Sequence, residues 1–231
     1  MKLAILTSDI IDGIIISQRI ITSGCDVRAI IYEKKHRTLK YFLKRLFYRL
    51  KGANKCIDYA AMARIRPGLI VKAVDNINSD AVKSILRDAA PELIAVIGTR
   101  KLEEGIFGLA KFGAINMHSG ILPYYRGADS EFWALYNGEK DKVGVSVHFI
   151  ENGLDTGDIV LQAQQRVLPS DNHISLRKKN TILGADKIVE AIKLIESGRY
   201  KRIKQDENKA KVYKSAKKED KEKYYLKRRK K

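Results

Sequence analysis

Short apolar runs and stretches of helical spacing follow one another along the chain, and this rhythm predicts strands separated by helices. Lys2–Leu6 is a continuous apolar run of buried-strand type. Asp9–Ser23 reads as the helix after it, stopped by Gly24, and Asp26–Tyr32 as a second strand, apolar at Val27, Ala29, Ile30 and Ile31. A strand, helix and strand in so short a length form a βαβ unit and imply a parallel sheet. The pattern recurs as strand Leu69–Val74, helix Ser79–Ala89 and strand Glu92–Ile97, with a short helix leading on to Lys111. Further strands are predicted over Lys111–Met117, Val143–Ile150 and Asp158–Val167. An apolar helix is predicted around Phe132–Tyr136 and a long one over Asn172–Ser197, the latter with Ile174, Ile182, Ile188, Ile192 and Ile195 among its apolar positions. Leu39, Phe42, Leu43, Leu46, Phe47 and Leu50 also fall at helical spacing, with Lys and Arg between them, which predicts an amphipathic helix; Cys56–Arg64 adds a short one before Pro67-Gly68.

The expected class is therefore α/β, a mostly parallel sheet with helices on both faces. With 231 residues the chain suffices for one sizeable domain of this kind and is short for two. We expect residues 1–200 to form the domain and residues 201–231 a basic C-terminal arm, with Val212-Tyr213 the only apolar doublet before Tyr224-Tyr225-Leu226.

Charge changes this picture in two places. The formal net charge of +18 is carried by Lys34–Arg66, net +10, and Arg199–Lys231, net +11, so that the rest of the chain is slightly acidic. A binder of nucleic acid over its whole surface is a poor description of that distribution; a basic helix face, a site for nucleotide phosphates and an acidic membrane surface remain open for the first segment. Cys25 and Cys56 are too few for a disulfide framework and read as free thiols of a reducing cytoplasm. The chain enters an apolar strand at Lys2 without a charged leader, and no apolar run reaches spanning length, so a cytoplasmic protein without integral membrane contact is expected.

The candidate chemistry lies between Phe112 and Ile159. Alternation along the strand puts Ala114, Asn116 and His118 on one face, so Asn116 and His118 project together near its carboxyl end, where open α/β sheets build their sites. A turn with Pro and Gly follows, Leu122–Gly127, and the strand over Val143–Ile150 runs into the acidic turn Asn152-Gly153-Leu154-Asp155-Thr156-Gly157-Asp158. An amide donor, an imidazole and a carboxylate at strand ends make a workable acyl-transfer set. His148 lies in a strand with no motif around it and is expected to be structural, His36 and His173 to be surface residues, and Trp133 and Tyr136 to be helix packing. No Cys/His cluster has metal-ligand spacing, so no metal is expected.

Three motifs in this order carry a resemblance. Asn116-x-His118, Leu122-Pro123-x-x-Arg126-Gly127 and Asp155-Thr156-Gly157-Asp158 resemble the 10-formyltetrahydrofolate-dependent formyltransferases, most strongly over residues 91–165. The resemblance implies a Rossmann-like formyltransferase fold, 10-formyltetrahydrofolate as co-substrate and Asn116, His118 and Asp155 as catalytic residues. It implies a folate wall made by Gly98, Thr99, Arg100 and Leu102 and by Ile150, Asn152, Gly153 and Asp155, and a cis peptide at Leu122-Pro123. Tyr124, Arg126 and Gly127 are implied on the substrate side, where substrate binding and loop bracing stay equally open for Arg126.

The first turn, Thr7-Ser8-Asp9-Ile10-Ile11-Asp12-Gly13, lacks the Gly-rich phosphate loop of glycinamide ribonucleotide formyltransferases. The tail is too short for the tRNA-binding domain of methionyl-tRNA formyltransferases, so no tRNA partner is expected. Tyr124–Gly127 and Trp133-Ala134-Leu135 resemble the nucleotide-sugar N-formyltransferases of surface-polysaccharide pathways. The expected acceptor is thus an amino sugar, nucleotide-linked. An aminoacyl or ribonucleotide amine, a folate hydrolase, and a non-catalytic relative that binds anionic polymers through its basic segments stay open, as does a homodimer. The tail beyond about Lys204 is expected to be dispensable for the chemical step.

Overall fold

The structure, a computed structural model, describes residues 1–34 and 59–229. The predicted amphipathic helix over 39–50, most of the first basic segment, His36 and Cys56 lie outside the described residues. The chain divides into two compact units, Met1–Ala114 and Ile115–Lys231.

In the first unit the βαβ pattern is realised with small shifts of boundary. β1 (Lys2–Ser8), α1 (Ile11–Thr22), β2 (Asp26–Glu33), α2 (Tyr59–Ile65), β3 (Ile70–Val74), α3 (Asp80–Ala89), β4 (Leu93–Ile97) and α4 (Glu104–Phe107) follow one another. β1 pairs parallel with both β2 and β4, and β2 parallel with β3, giving the order β3-β2-β1-β4. β1 is buried from Leu3 to Ser8 and β4 throughout. Strands covered on both faces have no solvent side to demand a polar alternate, which is why these two read as unbroken apolar runs. Ile16 and Ile20 of α1 and Val82 and Leu86 of α3 close the core, each fully buried. This is the Rossmann-like α/β class that the pattern and the resemblance imply, a mostly parallel central sheet with helices.

The second unit contains β6 (Arg126–Gly127), α5 (Ser130–Tyr136), β7 (Gly144–Phe149), β8 (Ile159–Gln164), α6 (His173–Glu196), β9 (Val212–Tyr213) and α7 (Lys218–Arg229), with β5 (Ala114–His118) at its start. β5 and β7 run antiparallel, as do β7 and β8, while β6 and β9 form a short parallel pair. α6 lies on β7 and β8. Its start is fixed by a capping box: the Asn172 side chain accepts from the N–H groups of Ile174 and Ser175, and Ser175 Oγ accepts from Asn172 N–H. Ile188, Ile192 and Ile195 are buried as their spacing implies, whereas Ile174 and Ile182 are 57% and 63% exposed. The buried stripe of α6 instead recruits Asn180, Thr181, Gly184 and Ala185, small or polar side chains that let the helix approach β7 closely.

The stretch after Gly198 is folded against this unit. Ile203 bridges to Ile159 through a reciprocal pair of backbone hydrogen bonds, 2.8 and 2.9 Å. Tyr213 stacks on Tyr125, centroids 5.0 Å apart, and on Trp133 at 5.4 Å, and Trp133 Nε1 donates to Lys214 O. So Trp133 serves packing, as expected. His173, expected on the surface, is half-buried; its Nδ1 is 2.7 Å from Tyr225 Oη, and burial, chiefly, pushes its imidazole pKa down.

Candidate active site

Strand register brings the site together. In the β5–β7 pair Asn116 stands opposite His148 and His118 opposite Ser146. Side chains directly opposite in an antiparallel pair share a face of the sheet. The amide of Asn116 and the ring of His148 accordingly meet, Nδ2 to Nε2, at 3.2 Å.

The turn after His118 is tied to the same two strands. Ser146 Oγ, wholly buried, donates to Gly120 O at 2.6 Å and accepts from Leu122 N–H at 3.0 Å. Gln162 of β8 donates to both Leu122 O and Ser146 Oγ. The Leu122-Pro123 peptide is cis, as the resemblance implied. Gly120 is required by crowding: a Cβ there would lie 2.7 Å from Ser130 Cβ, 2.8 Å from His118 Nε2 and 2.9 Å from Tyr125 O.

That crowding fixes the imidazole of His118, which is 7% exposed. Its Nε2 lies 2.6 Å from Tyr125 O and 3.2 Å from Ser130 Oγ, and the Ser130 hydroxyl itself donates to the same carbonyl. Nε2 therefore carries a hydrogen. Nδ1 faces Asp155 Oδ2 at 3.5 Å, so both ring nitrogens look onto oxygen acceptors.

Asp155 sits between two imidazoles. Oδ2 accepts from Gly127 N–H at 2.8 Å, and Oδ1 lies 3.5 Å from His148 Nε2. Burial opposes ionisation of this carboxyl. His118, His148 and the Gly127 N–H outweigh that cost and hold its pKa well below the usual carboxylate range. The backbone of Asp155 is left-handed, φ 53°, a conformation that Asp tolerates better than most side chains.

His148, expected to be structural, is the residue that the geometry adds to the cluster. It is 2% exposed, and its Nδ1 is 2.7 Å from the carbonyl of Phe149, leaving Nε2 for Asn116 and Asp155. The only signal available was its even spacing along β7; recognising it required the register against β5. Ser130, Ser146 and Gln205 were missed as well. Gln205 Nε2 donates to the carbonyls of Asp155, 2.8 Å, and Gly157, 2.7 Å. The tail, expected to stand apart from the chemistry, thus touches the backbone of the candidate site.

The remaining expected residues divide by unit. Arg126 is 4% exposed and its guanidinium is held by Gln205 Oε1 and, bidentately, by the carboxylate of Glu207, so it braces the tail. Tyr124 is half-buried, with Lys142 Nζ 4.3 Å above its ring. Ile150 is half-buried beyond β7, and Asn152, Gly153 and the apolar Leu154 are exposed on the loop before Asp155. In the first unit, Gly98 O accepts from Ser8 Oγ, Thr99 Oγ1 donates to Arg100 O, and Leu102 is 3% exposed. Arg100 Nε contacts the buried carboxylate of Glu33 at 2.6 Å. Among the described residues no group of three or more His, Cys, Asp or Glu could hold a metal ion, and no helix is long and apolar enough to cross a membrane.

A buried carboxylate between two imidazoles, beside an amide donor and an exposed loop with an apolar tip, can stabilise an oxyanion and move a proton. Comparison with known proteins bears on which reaction that serves. A family model described as formyl transferase matches residues 53–192. The methionyl-tRNA formyltransferase of Halothermothrix orenii (strain H 168) is 38% identical over 144 residues, 62% of this chain and 45% of that protein. The chain spans about half the length of the curated relatives it matches. Among solved structures, a sugar N-formyltransferase from Shewanella sp FDAARGOS_354 superposes with a TM-score of 0.65 at 17% identity, covering 93% of this chain and 77% of that one. An N-formyltransferase from Helicobacter canadensis, in complex with folinic acid and dTDP-3-aminofucose, gives 0.60 at 19% identity, over 93% and 71%. The formyl transferase match, over the same stretch that holds Asn116, His118 and Asp155, places this chain in the formyl transferase family.

Proposed function

We propose that this protein transfers the formyl group of 10-formyltetrahydrofolate to an amine, with Asn116, His118 and Asp155 as its catalytic residues. The observation that carries the reading is the Asn116–His148–Asp155–His118 cluster. The folate residues of the second unit in this reading are Ile150, Asn152, Gly153 and Asp155; for Gly98, Thr99, Arg100 and Leu102 of the first unit a part in folate binding is what the family resemblance implies. The exposed, apolar Leu154 at the tip of the loop before Asp155 fits the face of a flat heterocycle.

One N–H of the Asn116 amide meets His148 and the other is left to donate to the oxygen of the formyl carbonyl as it gains charge; one such donor is worth about 3–4 kcal/mol of barrier. His118, whose Nε2 hydrogen is committed to Tyr125 O, takes up at Nδ1 the proton released by the amine once it has attacked. Asp155, ionised across the working pH range, balances the imidazolium; as the tetrahedral intermediate collapses the bond from the formyl carbon to N10 of the folate breaks, and N10 takes up the proton, so that tetrahydrofolate leaves.

The acceptor in this reading is a nucleotide-linked amino sugar, with Tyr124 and Gly127 on its side of the site, and the reaction is cytoplasmic. The resemblance of Tyr124–Gly127 and Trp133–Leu135 to the nucleotide-sugar enzymes supports it, as does the absence of a Gly-rich phosphate loop at Thr7–Gly13. A second reading, the amino group of methionyl-tRNA, is favoured by the 38% identical relative and by the net +11 of Arg199–Lys231.

The deciding experiment mixes the protein and 10-formyltetrahydrofolate with nucleotide-linked 4-amino-4,6-dideoxy sugars, initiator methionyl-tRNA or glycinamide ribonucleotide. Mass spectrometry should find one added formyl group on a sugar. Efficient formylation of the tRNA instead replaces the acceptor and leaves the reaction standing. Formylation of none of the three, with folate bound, removes the reaction.

A further inference from the structure

Gln205 makes four hydrogen bonds, and each uses the correct end of its amide. Both Nε2 hydrogens go to main-chain carbonyls, Asp155 O at 2.8 Å and Gly157 O at 2.7 Å. Oε1 accepts from Arg126 Nε at 3.1 Å and Nη2 at 2.8 Å. A carboxylate here would face two carbonyl oxygens without a donor; an apolar side chain of the same length would leave both carbonyls without their donor and Arg126 Nε without its acceptor.

The brace is itself anchored. Arg126 is locked by the bidentate contact with Glu207, and its strand β6 is zipped to the tail by Arg126 N–H to Lys211 O and Ala128 N–H to Tyr213 O, both 2.9 Å. Between these two bonds Gly127 turns its N–H to Asp155 Oδ2. Only glycine fits there, since φ is +91° and a Cβ would lie 2.3 Å from Tyr213 O. The tail therefore grips Asp155 at both ends: its carbonyl directly through Gln205, its carboxylate through the strand that the tail pairs.

We propose that Gln205 is a positioning residue of the formyl-transfer site, holding the left-handed turn at Asp155 so that its carboxylate stays between His118 and His148. The proposal rests on the assignment of Asp155 to the chemistry. It assigns the tail a part in turnover that its composition does not suggest. Without the two donated bonds the carbonyl of Asp155 loses the donor that fixes it, and the Gly127 N–H alone is left to keep the carboxylate between the imidazoles.

The test compares Gln205→Met, Gln205→Glu and His118→Asn with the wild type, each checked for folding by circular dichroism. On whichever acceptor of the panel above is formylated, both Gln205 variants should lose about tenfold to a hundredfold in kcat, the scale of a displaced catalytic group, with KM for 10-formyltetrahydrofolate within about threefold. The imidazole resonances of His118 and His148, followed by NMR through a pH titration of the free protein, should move to different midpoints in both variants. A Gln205→Glu protein with wild-type kcat and unchanged titrations would overturn the proposal, because Glu keeps the contact with Arg126 and loses only the two bonds to the turn. Unchanged titrations in folded Gln205→Met overturn it equally, whether or not an acceptor has been found. A fully active His118→Asn would instead remove the parent reading, so the two failures are separable.

Discussion

Asp155 Oδ1 and His148 Nε2 are 3.5 Å apart, and the other ring nitrogen of His148 is committed to the carbonyl of Phe149 at 2.7 Å. With Nδ1 carrying its hydrogen, neutral His148 has a lone pair at Nε2, which suits the Asn116 N–H 3.2 Å away and repels the carboxylate. Protonated His148 reverses both preferences. One nitrogen thus chooses between orienting the amide and pairing with the acid.

The tautomer follows from that geometry. In its neutral form His148 should be the Nδ1–H tautomer, with an unprotonated Nε2 in its 15N spectrum. His148→Phe should retain folate binding and lose about tenfold or more in kcat through misplacement of Asn116. A predominant Nε2–H tautomer at high pH would contradict this account.

His118→Asn should abolish turnover while folate still binds, because the folate contacts implied by the family resemblance are mostly to backbone and apolar groups. An acid–base role contributes about 10²–10⁴-fold, so retention of more than about a tenth of wild-type kcat would take His118 out of the mechanism.

Asp155→Asn carries a stability signature in addition to its kinetic one. The folded state holds this carboxyl well below the ordinary range. A depressed folded value contributes stability that is present above the unfolded pKa of about 4 and is lost as pH falls through the folded value. The variant should therefore unfold at lower urea than the wild type at pH 7, with the gap narrowing below about pH 4. Asn accepts the left-handed backbone as Asp does, so the change isolates the charge. A gap that stays constant down to pH 2.5 would show that its origin is elsewhere.

Much of this was legible in the residues. The apolar runs of β1 and β4 announced buried parallel strands because burial on both faces leaves no polar alternate. Asn116, His118 and Asp155 were legible through motif and spacing. His148 was not, because its role depends on which residue of β5 stands opposite, a register that periodicity alone leaves unspecified. Nor was Gln205: its four bonds are made to a main-chain turn and to Arg126, 79 residues away, and a Lys-rich composition signals neither. Ile174 and Ile182 misled in the opposite sense, apolar at helical spacing yet turned to solvent.

The aromatic seat of the tail should be a measurable part of the fold. Tyr213 stacks on both Tyr125 and Trp133, and its hydroxyl accepts from Asn137 Nδ2 at 3.1 Å. Such pairs add about 0.5–1.5 kcal/mol each beyond area burial, so Tyr213→Ala should cost about 2 kcal/mol by urea unfolding. Tyr213→Phe should keep most of that stability. If Ala and Phe are equally tolerated, the tail does not dock through this stack.

Glu33 gives the last prediction, in the first unit. Its side chain is 5% exposed, and Oε1 accepts both the buried N–H of Ile77, at 3.1 Å, and Arg100 Nε, at 2.6 Å. Arg100, 53% exposed at its side chain, also donates to Asp75 O, so one carboxylate ties the loop after β4 to the loop after β3. Glu33→Ala leaves the Ile77 N–H buried without its acceptor, a loss of about 1–3 kcal/mol. Glu33→Gln keeps an oxygen for one donor but surrenders the charge, and should lie between Ala and wild type. Since Arg100 and its neighbours belong to the proposed folate wall, both variants should also raise KM for 10-formyltetrahydrofolate while leaving kcat within about threefold, the pattern of lost ground-state binding. Stability measured by urea unfolding and donor KM should fall in the same order, Ala worse than Gln. A large drop in kcat with unchanged KM would mean instead that Glu33 reaches the chemistry itself and that the wall is assigned to the wrong loop.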